Sequence, residues 1–128
     1  MLIKLIGKVI AKKNSRKGYV RGNRIMNFPS TAFKKWHEDA MLQLSLQNIP
    51  TDKIPFVKEV EIIHYSVLKK DGTPSTRKFD VTNKTESIMD LLVDYGYILD
   101  DNWSVTPRVI SDYKGGREES GCDIYITI

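Results

Sequence analysis

The sequence predicts an α+β fold of two layers, a mixed sheet with two main helices in the order β-α-β-α-β-β. Three observations lead there. Phe33, Trp36, Ala40 and Leu44 recur at helical spacing, and so do Ile88, Leu91, Leu92 and Tyr95. Runs rich in β-branched residues precede, separate and follow these two stretches. A chain of 128 residues, 41% of them hydrophobic, can bury one core but not two, so residues 1–128 read as a single domain.

Taken in order, residues 2–11 alternate as a half-buried strand, with Ile3, Leu5, Val9 and Ala11 on one face and Lys4 and Lys8 on the other. The alternation stops at Lys12. From there to Asn27, Lys12, Lys13, Arg16, Lys17, Arg21 and Arg24 are set among turn-forming Asn, Ser and Gly residues. This stretch reads either as a mobile basic loop suited to a sugar-phosphate backbone or as a solvated hairpin. Ser30 then caps a helix from about residue 31 to 47 that ends before Pro50. Trp36 belongs to its core face, and His37 to the surface or the core edge. Residues 56–68 form the expected central strand, with His64 as a hydrogen-bonded sheet histidine. A basic loop carrying Arg77 and Lys78 leads to Asp80, and the second helix runs from about residue 83 to 95 and stops at Gly96. Residues 104–113 read as a strand with Pro107 at an edge or bulge, and 114–117 as a turn. Residues 122–128 complete the set as a last strand, with Ile124, Ile126 and Ile128 on one face.

The net charge of +4 conceals an asymmetry. Residues 1–37 carry ten Lys or Arg and no acid, whereas residues 38–128 carry ten basic and sixteen acidic residues. A polyanionic partner for the first segment and a cation for the second would reconcile the two. Nucleic acid with a divalent metal is the economical pairing. No apolar run approaches the roughly 18 residues of a membrane span, and Lys4 interrupts the N-terminus too early for a signal peptide. A soluble, cytoplasmic protein is expected. The single Cys122 permits neither an intrachain disulfide nor a cysteine-based zinc site.

Six acids fall within the 22 residues from Asp80 to Asp101. Asp80 precedes the second helix, Glu86 and Asp90 share its polar face four residues apart, and Asp100 and Asp101 follow it, while Asp94 reads as surface. Clustered carboxylates repel unless a cation lies among them, and oxygen ligands without histidine or thiolate favour Mg²⁺ or Mn²⁺ over zinc. A calcium-binding EF-hand does not fit, because its glycine and its closing glutamate are out of register. The alternative is a solvated helix face.

The motif resembles that of the RusA family of Holliday junction resolvases. The family pattern is Asp-x-Asp-Asn, a lysine three residues on, an aspartate four later, a leucine two further, and an Asp-Asp pair after a glycine-containing turn. Here those positions hold Asp80, Thr82, Asn83, Glu86, Asp90, Leu92, Gly96 and Asp100-Asp101 without a gap. The resemblance implies a homodimeric, Mg²⁺-dependent endonuclease, bacterial or phage-encoded, that binds four-way DNA junctions and makes paired symmetric cuts. It implies catalytic roles for Asp80, Asp90, Asp100 and Asp101, with Asp80, Asp100 and Asp101 as metal ligands. Two positions depart: Thr82 stands for an aspartate and Glu86 for the lysine. Either Glu86 replaces the lost carboxylate as a ligand, with Arg77, Lys78 or Lys84 stabilising the scissile phosphate, or it merely caps the helix with Asn83, worth about 1 kcal/mol. In the second case the chain binds junctions through its basic residues without cutting them. A small domain whose basic segment serves only protein contacts is a third possibility.

Overall fold

A computed structural model describes residues 1–12, 16–21 and 24–128, with side chains described outside residues 13–29. The expected α+β order holds. Strand β1 (Leu2–Ile6) is followed by a hairpin of β2 (Arg16–Arg21) and β3 (Arg24–Pro29), helix α1 (Thr31–Leu46), β4 (Glu59–Val67), α2 (Val81–Tyr95), β5 (Val109–Arg117) and β6 (Gly121–Thr127). Four strands form one mixed sheet in the order β1-β6-β4-β5, and β2 and β3 pair as a separate ribbon. The basic stretch therefore contains an antiparallel strand pair. Among the described residues no helix is long and apolar enough to cross a membrane.

Strand β4 lies between an antiparallel partner, β6, and a parallel one, β5. Parallel pairing requires a crossover, which α2 supplies. The expected closing hairpin is absent: β5 and β6 are consecutive in sequence but flank β4. Residues 114–117, read from their glycines as a turn, continue β5. A register shift opposite His64 and Ser66 accommodates an extra residue there, with Gly115 at φ 90°. At Gly116 a Cβ would lie 2.6 Å from the end of the Leu68 side chain, which would have to shift, and 3.1 Å from Pro74.

Other boundaries move for local reasons. Strand β1 ends at Ile6 rather than at Ala11 because Gly7 takes φ 108° and donates its N–H to Ser120 (2.9 Å). Strand β5 starts at Val109 because Val105 and Thr106 both donate to the carbonyl of Asn102, closing a turn before Pro107. Ile128 lies beyond β6 and is exposed, while Cys122, Ile124 and Ile126 fill the inner face.

The core is the layer between the sheet and the helices. Ile3 and Leu5 of β1, Val60 and Ile62 of β4, and Ile124 of β6 meet Trp36, Ala40 and Leu44 of α1 and Ile88, Leu91 and Leu92 of α2. Ser30 caps α1 as expected, accepting from the N–H of Phe33 (3.1 Å). Gln43 and Gln47 of α1 reach the outer edge of β1, where their amides exchange hydrogen bonds with Ile6 (2.8 and 2.8 Å) and Lys4 (3.0 and 2.6 Å). These side chains occupy edge groups that would otherwise invite another strand.

One polar contact lies inside this layer. His64 Nε2 is 2.9 Å from Thr85 Oγ1 of α2, which also accepts from Ser111 Oγ of β5 (2.8 Å). His64 Nδ1 has no partner among the described residues. Burial first, and Lys84 second, lower the pKa of His64 from 6.5 to about 4. A base depressed by folding leaves its stability intact above pH 6.5 and loses it as the pH falls toward 4. Chemical unfolding should therefore show stability declining over that window by on the order of 3 kcal/mol more in the wild type than in His64→Gln; equal declines would refute this role.

Candidate functional site

Helix α2 carries most of the candidate chemistry, and its ends fix where that chemistry stands. Asp80 is its N-cap, and the helix begins at Val81, two residues before the expected start. Asp80 Oδ1 accepts from the N–H of Asn83 (3.2 Å) and from the hydroxyl of Thr82 (2.6 Å). The cap is thus Asp80 and not Asn83, which removes the capping partner proposed for Glu86. At the other end Gly96 adopts the left-handed conformation, and Tyr97 donates to Leu92 (3.1 Å). The chain then pairs with residues 53 and 54 through Lys53 to Gly96 (2.9 Å) and Ile54 to Tyr97 (3.0 Å), which turns Asp100 and Asp101 back toward the helix.

The carboxylates divide into two places. Ten residues of helix put Asp80 about 15 Å from Asp90 along the axis, too far to share one ion. Asp90, by contrast, stands within electrostatic range of Asp101, Glu86 and Asp94. Its pKa is raised, first by burial and then by Asp94 and Glu86, while Lys12 and His37 oppose the rise. The pKa of Asp101 is raised by burial, by its hydrogen bond with the Asp100 carboxyl and by Asp90. Asp100 moves the other way, held down by the N–H of Asp101, which donates to Oδ1 at 2.7 Å; Asn102 donates to its second oxygen at 2.9 Å. Glu86 is exposed one helical turn before Asp90. Asp94 pairs with His37 of α1 at 2.9 Å. Among the described residues no group of three or more His, Cys, Asp or Glu is arranged to hold a metal ion.

The basic residues divide similarly. Lys12 meets the acidic part of α2: its N–H donates to the buried Ser87 Oγ (3.0 Å), and its charge favours ionised Asp90. The side chains of Lys13, Arg16, Lys17, Arg21 and Arg24 lie outside the described residues. Arg77 and Lys78 line a cavity of about 450 Å³ at the start of α2, together with Asp80, Lys8, Phe79, Tyr65 and Lys84. Lys84 is half-buried with its ammonium 3.8 Å from the centre of the Phe79 ring. Burial and then Lys8 bring its pKa from 10.5 to about 8.

Sequence reading missed Lys8, taken for the polar face of a longer strand, and the aromatic support under Lys84. Phe79, five residues before a lysine near a helix start, was the available signal. Comparison with known protein families finds no family model that matches this chain, and comparison with curated proteins finds no match either.

Raised carboxylate pKa values have a definite sign. The cost of crowding Asp90 and Asp101 is absent in strong acid, where both are protonated, and complete at pH 7. Asp101→Asn should therefore raise the melting temperature at pH 7, without divalent ions, by about 1–2 °C. The gain should vanish near pH 3, and calorimetry at the two pH values checks both statements.

Proposed function

We propose that the chain is a Mg²⁺- or Mn²⁺-dependent endodeoxyribonuclease of the RusA type that resolves four-way DNA junctions. The observation that carries this reading is that Asp101 lies within electrostatic range of Asp90, as do Glu86 and Lys12. These carboxylates repel one another at neutral pH, and a hard divalent cation drawing them together would relieve that repulsion through oxygen ligands alone. Asp90 and Asp101 would hold the ion, with Glu86 completing the charge and Asp100 keeping Asp101 in position through its loop. When bound, the ion supplies an activated water and neutralises the charge that develops on the phosphate. Lys12 and the basic residues near Asp80 bind the flanking backbone. Homodimerisation, paired cutting and action inside a bacterial or phage-infected cell belong to the same reading.

A second reading is favoured by Asp80. Its carboxylate is engaged as a helix cap, and Thr82 donates to it where the family has a further aspartate. On that reading the chain binds junctions through its basic residues and does not cut them.

Incubation of synthetic four-way junctions with Mg²⁺ or Mn²⁺ separates the two. The nuclease reading expects incision that falls on the order of 100-fold in Asp101→Asn and at least 10-fold in Glu86→Ala, the latter with unchanged melting temperature. Salt-sensitive binding without incision under either ion would establish the second reading and end the first.

A further inference from the structure

We propose that the cavity at the start of α2 is a phosphate-binding pocket anchored by Lys84, which takes a phosphodiester or terminal phosphate of a polynucleotide. Four cations converge on it from separate parts of the chain: Lys8 beyond β1, Arg77 and Lys78 from the approach to α2, and Lys84 from its first turn. Among the described residues none of the four forms an ion pair with a carboxylate, although Asp80 contributes to the wall. Lys84 is the least free to leave. It is half-buried, held over the Phe79 ring, and Phe79 is itself held edge-on by His64 and Tyr113. Four cations against the single charge of Asp80 in the wall leave positive charge in excess, which an anion would relieve.

The shape of the site selects phosphate over a base. Both aromatic rings of the wall already carry cations on a face, Lys84 on Phe79 and the Arg117 guanidinium on Tyr65 at 4.3 Å. What the pocket offers is charge and N–H donors, the recognition chemistry of phosphate oxygens. The site lies at the opposite end of α2 from Asp90 and Asp101, and its occupancy requires neither a metal ion nor cleavage.

The test is an NMR titration of the full chain with inorganic phosphate at fixed pH, without divalent ions. Saturable shifts are expected at the amides of Lys8 and residues 79–84, with affinity reduced about tenfold by Lys84→Gln, a loss of about 1.4 kcal/mol. No saturable response in the wild type, or undiminished affinity in a folded Lys84→Gln variant, overturns the proposal. If that variant fails to fold, Lys8→Gln at an exposed position takes its place, and unchanged affinity there is equally fatal. Tetrathymidylate with and without a 5′-phosphate identifies the source: tighter binding of the phosphorylated form assigns a terminal phosphate, and equal binding a backbone phosphodiester. A chain that binds phosphate but cuts no junction loses the nuclease reading and keeps this one.

Discussion

The Thr85 hydroxyl sits between His64 of β4 and Ser111 of β5, and through it α2 is fixed in rotation and height over the parallel strand pair. Apolar contacts alone would tolerate a helix sliding or turning by a few ångströms, whereas a buried hydrogen bond that slips leaves its groups unpaired at about 1–3 kcal/mol each. That seating decides which residues face outward. With Thr85, Ile88 and Leu92 directed at the sheet, Lys84 is delivered to the cavity beside β1 and Asp90 to the boundary with Lys12. The histidine accepts a lowered pKa as the cost of this position, and its unpartnered Nδ1 marks the tightness of the layer.

The helices were legible in the sequence because their signals are local. Ser30 capped as read, the two apolar stripes faced inward, and Gly96 stopped α2 in the expected conformation. The strand ends were less legible, because glycine has several uses. Gly115 and Gly116 look like a turn, yet they serve a bulge and a close approach inside β5, and which one applies depends on Leu68 and Pro74 far away in sequence. Strand neighbours were beyond reach for the same reason: nothing local to residues 109–127 says that β4 will lie between them. Of the acidic residues, sequence spacing placed Asp80 before the helix and Asp100 and Asp101 after it, but not which of them come within electrostatic range of one another, since that depends on how the chain folds back after Gly96.

Thr82 and Glu86, the two departures from the RusA pattern, lie one turn apart in the first half of α2 and act on different neighbours. Thr82 turns a position that would add a negative charge beside Asp80 into a hydroxyl donor to Asp80 Oδ1, so that end becomes a stable cap set among cations. Glu86 does the reverse, adding negative charge toward Asp90 in place of a lysine. Lys84, half a turn earlier, supplies a cation on the side facing Phe79. Positive charge therefore gathers at the start of the helix and negative charge from its middle onward.

That distribution runs against the helix itself. A macrodipole favours acids in the first turn and bases in the last, by about 0.3–1 kcal/mol per charge. Beyond its Asp80 cap, α2 has no acid in the first turn and no base in the last; Lys84 stands near its positive end, while Asp90 and Asp94 stand toward its negative end. His37 compensates Asp94, Lys12 partly compensates Asp90, and Asp80 shares the cavity wall with its four cations. Stability alone would have arranged these groups the other way. Lys84 and Asp90 thus stand against the dipole while the Asp80 cap works with it, so the seating of Lys84 over Phe79 and of Asp90 near Lys12 follows from tertiary contacts and not from the helix's own field.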